Sequence, residues 1–95
     1  MRKKQTKATD IPTAVKKAVW ERDNYHCIFC GNVGYGVMPN AHFIPRSKGG
    51  LGIEQNIVTL CLECHNLFDH GGMETRSKYR HFIRSYLQSK YFDWR

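Results

Sequence analysis

Four cysteines fall in two identically spaced pairs, Cys27-x-x-Cys30 and Cys61-x-x-Cys64, in a chain of 95 residues. A domain of this length buries only a modest core and commonly needs a metal or disulfide staple to supplement it. The opening MRKKQTKATD is basic and leads into no apolar run, so no export signal is expected. No uncharged stretch is long and apolar enough to span a bilayer. These features predict a cytoplasmic chain without a membrane partner, whose thiols stay reduced and bind metal rather than form disulfides.

The second pair sits in Cys61-Leu62-Glu63-Cys64-His65, which read alone is a haem-attachment signature, and C-x-x-C alone is a redox pair. Haem attachment would leave Cys27 and Cys30 without a purpose. A thioredoxin-like pair needs a βαβ context that the sequence lacks. Two thiolate pairs on tight turns instead suit the four corners of tetrahedral zinc. Cys27, Cys30, Cys61 and Cys64 would then hold a structural Zn2+, since four thiolates leave no open position for water. Thirty residues separate Cys30 from Cys61, more than the usual gap of about 15–20. A substantial unit is therefore inserted between the two halves of the site.

The rest of the chain divides around that unit. Residues 1–9 are polar and basic and read as a mobile arm, with residues 10–95 forming one domain. Asp10 is placed to cap a helix with Pro12 in its first turn. Ile11, Val15, Ala18 and Val19 give that helix one apolar face to about Arg22, and Asp23-Asn24 ends it. Residues 37–44 are extended in character, with Pro39 implying an edge or a break. Residues 45–56 form a loop with three glycines, and Ile57-Val58-Thr59-Leu60 is a short strand. A helix follows over about 62–70, stopped by Gly71-Gly72. A last helix over about 74–90 carries Tyr79, Phe82, Ile83, Tyr86 and Leu87 at helical spacing, an aromatic stripe read as core.

Fifteen Lys and Arg against eight Asp and Glu leave a formal charge of +7 and a pI near 9.5. Such an excess on a small domain points to a polyanionic partner, most simply nucleic acid. Arg46 and Lys48 in the loop and Arg76, Arg80 and Arg84, four residues apart on the last helix, are the candidate phosphate contacts. No base-reading module is apparent, so sequence preference is expected to be loose.

The inserted unit supplies His42 and Asn56, and His65 stands just past the second pair. Asn56 follows His42 by fourteen residues, and His65 follows Asn56 by nine. The stretches AHFIPRSKGG, QNIVTLC and CHNLFDHG, preceded by RDNYHCIFCG, resemble the HNH endonucleases, the ββα-metal or His-Me finger nucleases, across residues 22–71. As a small isolated domain it is similar to HNH proteins of phages and mobile elements. The resemblance implies an α+β fold: a small zinc-stapled ββα-metal domain, its core over about 37–71, with flanking N- and C-terminal helices. It also implies hydrolysis of DNA phosphodiester bonds. His42 would be the general base, Asn56 would brace the loop and orient His42 by hydrogen bonding, and His65 would bind the catalytic ion.

One position departs from the pattern. Many relatives carry Asp or His immediately before the base histidine, where it helps hold the metal, and here that residue is Ala41. Asp69, four residues after His65 and on the same helical face, is the preferred replacement. His70 is the alternative if the helix unwinds before Gly71. A site of few oxygen and nitrogen ligands fits Mg2+ or Mn2+, or another divalent ion, completed by water and phosphate. Ala41 also sustains a second expectation, a catalytically lapsed zinc-stapled DNA-binding module. With one site per chain, a monomer or weak homodimer is expected, a monomer most simply nicking one strand.

Overall fold

The structure, a computed structural model, describes residues 8–92 and 94. The expected arm lies outside these residues except for Ala8 and Thr9, which are docked: the Ala8 carbonyl accepts from the Gly52 N–H at 2.9 Å. Three helices and two strands make an α+β fold in the order α1 (Thr13–Arg22), β1 (Met38–His42), β2 (Ile57–Leu60), α2 (Leu62–His70) and α3 (Met73–Lys90). Two single 3-10 turns, Arg46–Lys48 and Glu54–Asn56, break the loop between the strands.

α1 starts differently from the expectation. Pro12 itself is the N-cap, in extended conformation, and its carbonyl accepts from the N–H groups of Val15 and Lys16. Asp10 is too far upstream to cap, and its carboxylate pairs with Arg46 instead. At the other end, Asn24 and Tyr25 take φ of 55° and 60°, which no helix continues.

β1 and β2 are antiparallel, with Met38 opposite Leu60, Ala41 opposite Val58 and His42 opposite Ile57. The register shifts between Met38 and Ala41, a bulge containing Pro39. Proline has no N–H to give a ladder, so a bulge is where a strand tolerates it. β1 is thereby shorter than the extended stretch expected over residues 37–44. All four residues of β2, Ile57, Val58, Thr59 and Leu60, are buried, so the strand shows no alternation between a core face and a solvent face. The core gathers Val37, Ala41, Val58 and Leu60 from the sheet region, Phe68 from α2, and Tyr79, Ile83 and Leu87 from α3. The aromatic stripe of α3 is thus packing surface.

A buried ion pair knits these parts together. Asp23 is 2% exposed and accepts from Arg22 at 2.7 and 3.0 Å, from the Thr59 N–H at 2.9 Å and from the Tyr86 hydroxyl. Arg22 also donates to the carbonyls of Glu54 (2.9 Å) and Ile57 (2.8 Å) and to the Tyr91 hydroxyl (2.9 Å). Burial opposes the guanidinium charge, but the Asp23 carboxylate outweighs it and holds the Arg22 pKa above its ordinary value. Paired and fully hydrogen-bonded in this way, two charges can stay inside.

Candidate functional site

The four-cysteine cluster forms because β2 delivers Cys61 beside the turn that carries the first pair. The Ile28 N–H donates to the Thr59 carbonyl at 3.1 Å, which ties the turn of the first pair to β2. The four Sγ atoms all lie within 4.8 Å of one another. Cys30 Sγ and Cys61 Sγ are 3.7 Å apart, close to the roughly 3.8 Å edge of a tetrahedron with zinc–sulfur bonds of about 2.3 Å. Cys27, Cys61 and Cys64 are buried and Cys30 is exposed, and none is in a disulfide. The N–H of Cys30 lies 3.5 Å from Cys27 Sγ, and that of Cys64 lies 3.4 Å from Cys61 Sγ.

Those donors favour thiolates. Burial opposes ionisation of Cys27, yet the N–H groups of Cys30, Cys61 and Phe29 outweigh it and lower its pKa to about 7. At Cys64 burial prevails and the thiol is pushed up. A divalent cation bound by the four sulfurs would supply the charge that keeps them all deprotonated. The cluster therefore suits structural zinc.

Beside the knuckles, a cleft of about 720 Å3 opens between β1, the Arg46–Lys48 turn, the start of α1 and α2. His42, the last residue of β1, lines it from one side and is half-buried. Its Nε2 lies 2.8 Å from the Thr9 carbonyl oxygen. His65 and Asp69 line it from α2, one helical turn apart, with His65 Nε2 and Asp69 Oδ2 separated by 3.2 Å. That separation is the distance of an imidazole–carboxylate hydrogen bond, and it is also close to the roughly 3 Å between neighbouring ligands of an octahedral cation with bonds of about 2.1 Å. His70 also lines the cleft, from the last residue of α2, which runs unbroken to Gly71.

Asn56 is 6% exposed, and its side chain is committed to the loop. Its Oδ1 accepts from the Ile44 N–H at 2.8 Å, while its Nδ2 donates to the carbonyls of Ile44 (3.2 Å) and Leu51 (2.9 Å). No side-chain hydrogen bond joins it to His42. Asn56 reaches that histidine through the main chain only, where its carbonyl accepts from the Phe43 N–H at 2.8 Å.

Ala41 is fully buried and part of the core, so a side chain at this position points away from the cleft that His42 lines. Asn40 does line the cleft, and its Oδ1 is buried without a hydrogen-bond partner. Sequence reasoning passed over Asn40 because the bulge that turns it inward depends on the pairing of β1 with β2. Lys16 was missed as well: it lines the cleft from α1, and only the docking of that helix brings it there.

The predicted basic residues divide. Arg46 lines the cleft and pairs with Asp10, with side chains 56% and 40% exposed, and Lys48 is exposed in the same turn. Arg76 is exposed on α3. Arg80 is half-buried, its guanidinium 5.1 Å from the Phe43 ring and 5.4 Å from the Phe68 ring, and Arg84 lies 5.7 Å from the Phe43 ring. The row thus begins as an open cation and continues as cations laid on aromatic faces.

One cysteine pair, two antiparallel strands, and a helix that begins at the second pair follow one another around a histidine-lined cleft. Residues 27–68 match the family model described as HNH endonuclease, and the chain belongs to that family. Over 59 residues it is 34% identical to the protein named Anaredoxin from Nostoc sp. (strain PCC 7120), covering 62% of this chain and 76% of that one.

Proposed function

We propose that the protein is a metal-dependent endonuclease that hydrolyses DNA phosphodiester bonds. The supporting observation is the cleft itself, which brings His42 together with the adjacent donors His65 and Asp69. Hydrolysis needs a group that takes a proton from water, and neutral imidazole suits that task near pH 7. His42 is that base. His65 and Asp69 hold the divalent ion, Mg2+ or Mn2+, with His70 within the same cleft. When bound, such an ion supplies positive charge to the scissile phosphate and the leaving oxygen.

The remaining residues position the substrate and the base. Asn56 keeps the loop that carries Arg46 and Lys48 closed on itself. Arg46, Lys48 and Lys16 surround the cleft with positive charge, and Arg76 extends it onto α3, a phosphate-contacting pattern without sequence readout. With one such histidine-lined site among the described residues, a monomer nicks one strand, and a weak homodimer is the route to a double-strand cut. Thiolate zinc is maintained in a reducing compartment, which favours the cytoplasm. Among the described residues no helix is long and apolar enough to cross a membrane.

One observation favours a second reading, a zinc-stapled DNA-binding module without catalysis: the residue before His42, Ala41, is buried and offers no ligand. Supercoiled plasmid incubated with zinc-loaded protein in Mg2+, Mn2+ or EDTA separates the two. Cleavage that needs added metal and disappears in His42→Ala supports the nuclease. Intact binding with no cleavage of any DNA form leaves the binding module.

A further inference from the structure

We infer that the segment Ala8–Ile11 is a working part of the cleft, in which the Thr9 carbonyl fixes the tautomer of His42 and makes Nδ1 its basic nitrogen. The role of that nitrogen rests on the nuclease reading; the tautomer itself does not. Thr9 is a positioning residue, acting only through the ring it holds.

A carbonyl oxygen can only accept, so the 2.8 Å contact between His42 Nε2 and Thr9 O requires the hydrogen to sit on Nε2. Neutral imidazole carries a single N–H, which leaves the Nδ1 lone pair free. Among the described residues Nδ1 has no hydrogen-bond partner. Asn56 does not reach the ring, its side chain being occupied by Ile44 and Leu51. The orienting acceptor therefore comes from outside residues 27–68, the part of the chain that the family pattern spans.

An acceptor is useful only if it is held still, and this segment is held at several points. The Ala8 carbonyl accepts from the Gly52 N–H at 2.9 Å. The Asp10 carboxylate pairs with Arg46 across the cleft mouth. Pro12 then anchors the segment to the first turn of α1. The contact with Gly52 is so close that a Cβ there would lie 1.9 Å from the Asp10 carbonyl oxygen. Glycine at position 52 is thus a requirement of this docking.

Two zinc-loaded variants of the 95-residue chain test the inference. In the first, a synthetic segment 1–26 is ligated at Cys27 to an expressed, 15N-histidine-labelled segment 27–95. It carries an ester in place of the amide between Thr9 and Asp10, which weakens the Thr9 carbonyl as an acceptor and keeps every side chain. The second is Gly52→Ala, which displaces the whole segment. Long-range proton–nitrogen correlation spectra at about pH 8.5, where imidazole is neutral, report the tautomer of His42. Plasmid cleavage gives kcat and KM.

The wild type is expected to show the Nε2–H form. The ester variant is expected to show a mixture, with kcat lowered about tenfold, the equivalent of one ordinary hydrogen bond, and KM unchanged. An Nδ1–H form in the wild type overturns the inference. So does an ester variant with wild-type tautomer and wild-type kcat, and this holds even if Gly52→Ala does not fold. If the wild type shows the Nε2–H form, the ester variant loses it and neither protein cleaves DNA, the positioning stands and the nuclease reading falls.

Discussion

The Asp23 carboxylate accepts a hydrogen bond from the Thr59 N–H at 2.9 Å, tying the end of α1 to β2 through a charge buried within the fold. The same carboxylate holds Arg22 and the Tyr86 hydroxyl. Its side chain is fully buried, and that of Arg22 is 12% exposed. Asp23→Ala strands a buried guanidinium and an N–H together. The expected loss is about 3–5 kcal/mol, the cost of breaking a buried pair from one side. Urea unfolding of the zinc-loaded protein measures it, and Arg22→Met in the Asp23→Ala background should recover part of the loss.

Tyr86 makes the fold sensitive to alkali. Burial first, and then the Asp23 acceptor, raise its pKa above the ordinary 10. The unfolded chain releases this proton as pH passes 10, while the folded chain retains it. The unfolded state then binds fewer protons, so stability is full below pH 10 and falls as pH rises beyond it. Tyr86→Phe removes this component. Urea midpoints between about pH 8 and 11 should fall more steeply for the wild type than for the variant.

Stripping the zinc should unfold the protein. Structural zinc sites contribute on the order of 10 kcal/mol, comparable to the whole stability of a small domain. A strong chelator is expected to abolish near-ultraviolet circular dichroism while a colorimetric dye reports one zinc released per chain, matching the single four-cysteine group among the described residues. Cys61→Ser, at a position 5% exposed, should be more damaging than Cys30→Ser at the exposed rim. Equal zinc content and equal thermal midpoints for both variants would contradict that ranking.

Asn56→Ala removes three side-chain hydrogen bonds at a buried position. Leaving the Ile44 and Leu51 main chain without these partners should cost about 2–4 kcal/mol. Hydrogen exchange at the Ile44 amide should accelerate by more than global unfolding accounts for, since the loop opens before the core does.

Arg76 and Arg80 should separate binding from stability. Arg76→Ala is expected to weaken binding to all DNA sequences alike and to lower the slope of log affinity against log salt by about one. Arg80→Ala removes a cation stacked between Phe43 and Phe68 and should lower stability by about 1 kcal/mol. Fluorescence anisotropy over a salt series and urea unfolding, run on both variants, assign each effect.

Some of this was legible in the chain because it is written locally. The two cysteine pairs announce a zinc cluster whatever lies between them, and Tyr79, Ile83 and Leu87 repeat at helical spacing because one side of α3 is buried. Asp69 could be paired with His65 because four residues are about one turn. Contacts between distant segments were not legible. Arg22-Asp23 looks like a solvated helix end until Thr59, Tyr86 and Tyr91 close over it. Asp10 has the chemistry of a cap, but Pro12 occupies the capping position, leaving Asp10 to Arg46. Thr9 carries no signal at all, because what it contributes is a carbonyl that every residue has.

The two-stranded sheet bears on how copies of the chain meet. A strand edge with a continuous row of free N–H and C=O groups invites a second chain to add itself. The bulge at Pro39 interrupts β1, and the far side of β2 already accepts from the Ile28 N–H. Neither edge offers a full ladder. Copies of this protein, were they crowded along a polyanion, would thereby be discouraged from zipping together into aggregates.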